Sequence, residues 1–372
     1  MEASKMIGNV ERLPVKSQHE RVAILLNANA KAVSESLRRE LESFVPPEDV
    51  YFSRSFEDAR AIARTVLDRG YRTVLTGGGD GTFVGYANCI LEEAARGGGN
   101  GRSQGGAALK LAPLARRLPR FGVLKLGTGN ALAEFSGASS RRVGVVEDIL
   151  RARSGEVAAT HKLHLLEHEG KRAPFAGLGL DAAVLNDYVQ VKSNLQTGNL
   201  RLAGMGGLGY FWAIAGRTIP RFLMERQVPN VEVVNLGAPA HQIGPDGVAI
   251  GRPIGRGEIL YRGPCRIAAA GTVPCYGFGF RIFPHALRAP GRFQLRLTAL
   301  SIPRLLASVP AIWRGQTPSG LLDFQCEKAA IRFDREMPLQ VGGDAEGYRR
   351  EVILSMSPEP IELLDFRSAA RA

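Results

Sequence analysis

The stretch Thr76-Gly77-Gly78-Gly79-Asp80-Gly81-Thr82 decides how the N-terminal half of this chain is read. It follows Tyr71-Arg72-Thr73-Val74-Leu75, a β-branched and aromatic run that predicts a buried strand, and it precedes residues 83–91, whose apolar side chains recur at helical spacing. The glycines therefore stand at the carboxyl edge of a sheet, where open α/β sheets bind ligands. Glycine leaves the backbone N–H groups of a helix start open to an anion, so the stretch predicts a nucleotide-phosphate site with a metal nearby rather than a plain turn.

The residues around this stretch alternate between strand and helix patterns. This alternation predicts a doubly wound parallel sheet in an α/β domain that spans residues 21–155. The preceding strands and amphipathic helices are predicted, in chain order, at 21–26, 32–44, 50–53 and 56–69.

A second junction of the same kind follows about 50 residues later. Residues 121–126 predict a strand that ends at Gly127-Thr128-Gly129-Asn130, and a helix is predicted to begin at Ala131. Because the carboxyl ends of parallel strands meet at one edge, we expect the two glycine turns to form the two halves of one phosphate site.

Beyond residue 155 the pattern changes to short alternating segments separated by turns, which predicts a mainly antiparallel β domain over residues 156–350. Residues 1–20 are expected to be an irregular lead-in, and residues 351–372 are expected to return to the first domain. The turns are predicted at 169–171, 244–247, 252–255 and 288–291.

The composition indicates a globular cytoplasmic protein. A chain of 372 residues suits two domains, and 45% apolar residues can supply a full core. The longest uncharged run in its middle, residues 202–216, is too short and too rich in glycine to span a membrane. No apolar signal region follows Met1, and the four cysteines show no disulfide-like spacing, so we expect free thiols in a reducing compartment.

The formal charge of +12 favours anionic partners, namely nucleotides, nucleic acid or an acidic membrane. Residues 96–120 form a Gly-rich insertion with six basic residues and no acid. This insertion is read either as a solvated loop or as a segment that contacts an anionic membrane or substrate.

Four stretches together resemble the diacylglycerol kinase catalytic-domain family, which includes bacterial lipid kinases and the sphingosine and ceramide kinases. They occur in the family's order between about residues 21 and 365. The first of them is shared with NAD kinases, whereas the second and fourth favour the lipid-kinase side. The stretches are Gly77-Gly78-Gly79-Asp80-Gly81-Thr82, Leu126-Gly127-Thr128-Gly129-Asn130-Ala131-Leu132-Ala133, Ala176-Gly177-Leu178-Gly179-Leu180-Asp181-Ala182 and Gly343-Asp344-Ala345-Glu346.

The resemblance implies an NAD-kinase-like α/β domain and a β domain, with the active site in the cleft between them, ATP and Mg²⁺ bound there, and a lipid hydroxyl as acceptor. It implies that Asp344 is the general base, that Glu346 supports it or the metal, that Asp80 helps hold the metal, and that Asp181 contacts the lipid head. The residues implied to line the nucleotide are Asn27, Gly77, Gly78, Gly79, Asp80, Gly81, Thr82, Gly127, Thr128, Gly129 and Asn130.

The chemistry of phosphoryl transfer agrees with this residue set. The reaction needs phosphates and Mg²⁺ held in line with a hydroxyl, and backbone N–H groups at two helix starts can hold the phosphates. No Walker lysine motif occurs in the sequence, so the P-loop class is excluded.

Two stretches depart from the family pattern, and the basic insertion at 96–120 is longer than the family leads us to expect. Asn27 is followed by Ala28 where the family has proline, and Ala30-Lys31 replaces a small-residue pair, although Lys31 could supply charge. Ala345 stands where the family has glycine, which restricts the backbone at that point.

Three further motif matches are discounted. Residues 204–209 fit the dinucleotide fingerprint, but no strand clearly precedes them, and residues 177–182 are better explained as a strand-end turn. His164-Leu165-Leu166-Glu167-His168 fits an inverted zinc-protease pattern, but its context predicts the first arm of a hairpin with surface histidines.

Two apolar helical segments, residues 208–219 and 305–313, have arginines nearby. Each is read either as core packing or as an apolar face that opens at a bilayer. The predicted partners are a lipid substrate at a membrane surface and anionic lipid, with peripheral membrane association. No nucleic acid is expected, and the oligomeric state is open, with a homodimer as one option.

Two other functions stay open at this point. The chain could be a kinase of a soluble acceptor such as NAD, because residues 77–82 are common to both kinase classes. It could also be a non-catalytic protein that binds lipid or nucleic acid, given the charge and the departures at Ala28, Lys31 and Ala345. Basic residues are scattered and no aromatic-interleaved motif occurs, so nucleic acid is the weaker branch.

Overall fold

Two sheets organise this protein, for which a computed structural model describes residues 21–30, 33–99, 118–127, 130–183, 227–277 and 279–368. Several predictions lie outside these residues: the lead-in 1–20, Lys31, most of the basic insertion, Thr128, Gly129, the motif at 204–209 and the helix at 208–219.

The first sheet has the strand order β2-β1-β3-β4-β18-β5. Its first five strands run parallel, and β5 pairs antiparallel with β18 at the edge. β18 follows all the strands of the second sheet in the chain, so the first sheet contains strands from both sides of the second in sequence. The strands are β1 Val22–Asn27, β2 Val50–Ser53, β3 Thr73–Gly78, β4 Arg120–Lys125, β5 Thr160–Leu163 and β18 Ile361–Leu364.

Among the described residues, five helices cover the two faces of this sheet. α1 and α5 pack on one face with Val22, Ile24 and Leu26, whereas α2 and α3 pack on the other face with Ala23 and Leu25. This confirms the predicted doubly wound arrangement. The helices are α1 Glu35–Glu42, α2 Phe56–Asp68, α3 Asp80–Gly99, α4 Ala131–Phe135 and α5 Arg142–Ser154, with a 3₁₀ turn at Pro47–Asp49.

The helix starts follow local sequence signals. The Ser34 side chain accepts a hydrogen bond from Leu37 N at the start of α1. Ser55 and Asp58 form a reciprocal capping box at the start of α2. A serine cap of this kind contributes about 1 kcal/mol relative to alanine.

The second sheet is antiparallel and contains twelve strands among the described residues. Its central run is β15-β14-β13-β8-β16-β17, and β9 joins β16 to β12. The predicted α/β fold with a C-terminal antiparallel β region is therefore confirmed. The strands are β6 Leu166–His168, β7 Lys171–Ala173, β8 Phe175–Gly179, β9 Asn230–Asn235, β10 Ala240–Ile243, β11 Ala249–Ile254, β12 Ile259–Pro264, β13 Ile267–Gly271, β14 Phe293–Thr298, β15 Leu321–Cys326, β16 Lys328–Val341 and β17 Asp344–Met356.

One helix, α6 Ile302–Trp313, lies between β14 and β15. Within the described ranges, no helix combines the length and apolar content needed to cross a bilayer.

Three local predictions are corrected by the structure. β11 continues to Ile254, so the turn predicted at 252–255 comes slightly later, at 255–258. His168 is buried rather than on the surface, because its ring nitrogen Nδ1 lies 3.1 Å from the carbonyl of Ile353 on the neighbouring strand. The helix predicted to begin near Phe83 begins at Asp80, one residue after Gly79.

Candidate active site

The carboxyl ends of three adjacent strands meet at one edge of the first sheet. Gly77 of β3 lies opposite Leu26 of β1 and Leu124 of β4. Asn27, the last residue of β1, donates from Nδ2 to the Thr82 hydroxyl over 3.1 Å. The end of β1 is therefore tied to the first turn of α3.

Glycine is required in both turns because backbone and side chains approach closely there. A Cβ on Gly78 would lie 2.2 Å from the Thr82 hydroxyl oxygen. A Cβ on Gly127 would lie 2.2 Å from both N and Cα of Gly79, so the two turns touch through their backbones. The structure thus brings Gly127 against Gly79, as expected for two parts of one site, with Thr128 and Gly129 outside the described residues.

Asp80 joins the two turns through its carboxylate. Its oxygens accept hydrogen bonds from Ala131 N at 2.9 Å and Leu132 N at 3.1 Å, at the start of α4. Burial raises the pKa of Asp80 to about 6, although the two N–H donors act in the opposite direction. Asp80 was singled out in the sequence as a metal ligand, whereas the geometry also gives it the role of holding α4 to α3.

Asn130 also belongs to this edge. Its side chain donates from Nδ2 to the carbonyl of Gly127 over 2.8 Å, and its Oδ1 accepts from Gly127 N at 3.3 Å. The Asn130 side chain therefore connects the end of the second turn to its first residue, Gly127.

The acidic motif lies at the start of β17, after a tight turn. Gly342 and Gly343 connect β16 to β17 with φ values of +63° and +88°, a left-handed region that favours glycine. Ala345 pairs with Gln340 inside the hairpin and needs no left-handed backbone, so alanine fits where the family has glycine. Asp344 is exposed, whereas Glu346 is half-buried.

Helix α3 connects the acidic hairpin to the phosphate edge. A Cβ on Gly81 would lie 3.1 Å from Oδ1 of Asp344, and a Cβ on Gly342 would lie 2.8 Å from the Val84 side chain. Gly81, Val84 and Asn88 share one face of α3, since they are spaced at helical intervals. Helix α3 therefore places its N-terminus at the phosphate edge and also contacts the candidate base.

Lys171 is the main residue that the sequence did not identify. Its ammonium nitrogen lies 3.0 Å from Oδ2 of Asp344 and 2.5 Å from Oε1 of Glu346. Burial lowers the pKa of Lys171, but the two carboxylates outweigh this effect and the net pKa is raised. The lysine therefore stays charged and holds both acids.

Asn88 fixes the strand that carries Lys171. Its side chain donates to the carbonyl of Arg172 at 2.7 Å and accepts from the backbone N–H of Arg172 at 2.8 Å. The buried Asn88 side chain of α3 thus makes the two backbone hydrogen bonds to β7 that a neighbouring strand would otherwise make. The only sequence signal was an amide inside an otherwise apolar helical stretch, Ala87 to Leu91.

Asp181 belongs to a separate series of hydrogen bonds that extends to the hairpin of β16 and β17. Tyr276 donates to Oδ2 of Asp181 at 2.7 Å, and the Gln340 amide donates to the Tyr276 hydroxyl. The Gln340 carbonyl oxygen then accepts from Gly343 N at 3.0 Å, next to Asp344. Oδ1 of Asp181 is fully buried and has no hydrogen-bond partner among the described residues.

Replacing Asp181 by asparagine should change how stability depends on pH. Burial raises the pKa of Asp181 to about 6, above its usual 3.8. The folded protein therefore keeps this proton at pH values where the unfolded chain has already lost it. The stability that the proton contributes is complete below about pH 4 and is lost as the pH rises through about 6. Relative to wild type, the free energy of unfolding of Asp181→Asn should rise by up to roughly 2–3 kcal/mol across this window. Urea unfolding at several pH values measures this difference, and a constant difference would contradict the assignment.

The described residues contain no group of three or more His, Cys, Asp or Glu side chains placed to hold a metal. A Mg²⁺ in nucleotide sites usually takes one or two carboxylates and completes its shell with phosphates and water. Glu346, which Lys171 holds next to Asp344, fits this kind of site. Both oxygens of Asp80 already accept backbone hydrogen bonds, so it fits less well.

Comparison with known proteins agrees with this architecture. Residues 21–161 match the family model of the diacylglycerol kinase catalytic domain. No curated protein matches the chain. The family match ends before the acidic hairpin, so the roles of Asp344 and Glu346 stay predictions.

Solved structures of diacylglycerol kinases from Bacillus anthracis str. Sterne, two of them named provisionally, share this fold. One aligns with a TM-score of 0.62 at 14% identity, and a second with a TM-score of 0.60 at 12% identity. Both alignments cover 95% of this chain and 100% of the other. An NAD kinase from Archaeoglobus fulgidus, solved in complex with ATP, aligns with a TM-score of 0.42 at 12% identity over 94% of this chain and 96% of its own. Residues 21–161 therefore match the diacylglycerol kinase catalytic domain in sequence, as the motifs predict, and the whole chain shares its fold with the solved structures.

Proposed function

We propose that this protein is a Mg²⁺-dependent lipid kinase that transfers the γ-phosphate of ATP to a lipid hydroxyl, with diacylglycerol or a sphingoid or ceramide lipid as acceptor. One observation carries the proposal: the Asp344 carboxylate lies against Gly81, in the first turn of the helix that follows the phosphate-type turn. A base and an anion-binding helix start are thus side by side, as transfer to a hydroxyl requires.

The donor side uses the edge of the first sheet. The 20-residue helix α3 presents its N-terminus there, and the aligned peptide dipoles favour phosphate at that end. Asn27 and Thr82 form one flank of this edge, and Gly127 and Asn130 form the other. In this proposal they line the nucleotide.

The acceptor side uses the hairpin of β16 and β17. Asp344 is exposed and can take the proton of a hydroxyl placed between it and the phosphate, while Lys171 fixes the direction of its carboxylate. Glu346 is proposed to hold Mg²⁺ together with the nucleotide phosphates. When bound, Mg²⁺ neutralises charge on the transferring phosphoryl group.

Asp181 is proposed to contact the polar head of the lipid. Its buried Oδ1 has no partner among the described residues, and a buried acceptor without a hydrogen bond is costly. A hydroxyl or ammonium of the lipid head would supply the missing donor. Tyr276 and Gln340 link this contact to the backbone beside Asp344.

Replacing Lys171 by methionine should lower kcat by roughly tenfold to a hundredfold, because hydrogen bonds to charged groups contribute about 1.5–3 kcal/mol. The loss acts chiefly through Asp344, the proposed base, so kcat should fall by a larger factor than the KM for ATP rises. Steady-state kinetics with the same acceptor measures both constants.

Lys171→Arg is the matched variant for this prediction. It keeps the charge and should recover much of the lost kcat. If Lys171 had only a structural role, Lys171→Met and Lys171→Arg would instead lose thermal stability to the same extent. A wild-type kcat in Lys171→Met would remove Lys171 from the account.

The proposal is tested by incubating the protein with γ-labelled ATP and Mg²⁺ and presenting lipids one at a time in mixed micelles. Diacylglycerol, monoacylglycerol, ceramide and sphingosine form the panel. Labelled product from at least one lipid is expected. No labelled lipid from any of them, in a protein that binds ATP, would reject the lipid acceptor.

A kinase of a soluble acceptor such as NAD is the second candidate, favoured by the turn Gly77 to Thr82 alone. Labelled phosphate on NAD in the absence of any lipid would decide for it.

A further inference from the structure

One long segment of the second sheet region contains no acid. The 64 residues from Ile259 to Leu322 hold eight arginines, no lysine and neither Asp nor Glu. An imbalance of this size in one continuous segment concentrates positive charge on the part of the surface that the segment forms.

Four of these arginines bond to other residues of the protein or are at least partly buried. Arg296 is buried and pairs with Asp323 through two hydrogen bonds, and Arg262 pairs with Glu232. Arg292 donates to backbone carbonyls, and Arg266 has buried nitrogens. The other four are exposed and form no ion pair with any described residue: Arg281, Arg288, Arg304 and Arg314.

The outer face of α6 is apolar, which is unusual for a surface helix. Only Ile302 and Ile312 of this helix are buried. A surface helix normally turns polar and charged residues to solvent. Here the exposed residues are mainly Pro303, Leu306, Ala307 and Pro310, with Arg304 beside them, and Leu306 is 41% exposed.

The segment 279–291 continues this surface. The rings of Phe280 and Trp313 make an edge-on contact with centroids 5.7 Å apart, which seats the segment on the C-terminal end of α6. A Cβ on Gly315 would lie 3.5 Å from the Arg281 side chain, so Arg281 and Arg314 stand at the same end of the helix. Farther along the segment, Leu287 is 53% exposed.

The same segment is attached to the candidate active site. Gly279 N donates to Oε2 of Glu134 at 2.5 Å, and Glu134 belongs to α4. The N-terminus of α4 is held by Asp80. The apolar and basic surface is therefore fixed to the nucleotide edge through one short helix.

We propose that the outer face of α6 and the segment 279–291 form the surface by which this protein docks on an anionic lipid bilayer. Leu306 enters the headgroup region, and Arg281, Arg304 and Arg314 around it meet lipid phosphates. Exposed apolar side chains rimmed by basic residues are the pattern of interfacial membrane binding. The proposal rests on the proposed function, since a lipid acceptor has to be drawn from a bilayer beside the site.

Vesicle flotation tests this surface without any catalytic step. The full-length protein is mixed with vesicles of phosphatidylcholine alone or of phosphatidylcholine with phosphatidylglycerol, in the absence of ATP. Binding to the anionic vesicles only is expected, with binding falling as salt rises. Leu306→Glu should reduce the partition coefficient roughly tenfold or more, and Arg304→Glu should reduce it by roughly tenfold.

Ile250→Glu is the matched control, because Ile250 is 50% exposed on β11 of the same sheet. It adds the same charge to another exposed apolar position and should leave binding close to wild type. Unchanged thermal melting in all three variants, which alter exposed side chains, shows that they fold.

Equal vesicle binding by Leu306→Glu, Ile250→Glu and wild type would overturn the proposal, as would no binding of wild type to anionic vesicles. A Leu306-dependent dimer in solution, without vesicle binding, would assign the face to a second copy and also overturn it. A failure of the kinase proposal would be seen separately. If wild type transferred no phosphate to micellar lipid, the result of the vesicle-binding assay would not change.

Discussion

Asp344→Asn is expected to lower kcat for phosphoryl transfer by roughly 10²- to 10⁴-fold, the range that a positioned general base contributes. The amide is nearly isosteric but cannot accept the hydroxyl proton. Because Asp344 only touches the start of α3 and lies outside the two glycine turns, ATP affinity should be unchanged. Initial rates with micellar lipid and equilibrium binding of ATP measure the two effects separately.

Glu351→Gln is the control for this variant, since Glu351 lies on the same strand and its carboxylate pairs with Arg332 at the surface. Exposed ion pairs contribute little, so neither rate nor stability should change by much. If Asp344→Asn turned over at the wild-type rate, Asp344 would not be the base, and Glu346 would be the next residue to test.

Gly127→Ala is expected to abolish most ATP binding. The added Cβ would stand 2.2 Å from the backbone of Gly79 and 2.7 Å from the carbonyl carbon of Gly78. Backbone atoms cannot yield as a flexible side chain does, so the two turns must move apart. Overpacking of this kind costs roughly 1–3 kcal/mol in stability, and the separated turns no longer form one site. Thermal melting and ATP titration check both consequences.

Gly85→Ala provides the comparison within α3, because a Cβ at Gly85 would meet no atom within 4 Å. Alanine is favoured over glycine in a helix by up to about 1 kcal/mol, so this variant should be as stable as wild type or more stable. Normal ATP affinity in Gly127→Ala would show that the contact between the turns is not needed for the nucleotide.

The sequence predicted the parts of the fold that local patterns determine. Strand and helix periodicity identified β1 to β4 and the helices that follow them, because each element buries a continuous apolar face. The two glycine turns were placed at one edge of the sheet because parallel strands align their carboxyl ends. The fold class is confirmed, and the family resemblance, which rested on the four quoted stretches, is supported by the family match over residues 21–161.

The rest of the site depends on contacts between distant residues. Lys171 reaches Asp344 and Glu346 across more than 170 positions, and a lysine in a predicted hairpin turn carries no local signal of such a contact. Asn88 likewise gains its role only when α3 packs on β7. Asp80 was assigned to a metal from its motif, but its bonds to α4 depend on how two loops meet in space.

The central claim is that the γ-phosphate goes to a lipid. The most direct measurement is a single reaction in which wild-type protein meets labelled ATP, Mg²⁺, NAD and mixed micelles that contain all four lipids, followed by separation of the labelled products. The account predicts label in a lipid fraction and none on NAD, with the lipid product absent when Asp344→Asn replaces wild type. Label on NAD, with the lipid fractions empty, would contradict it.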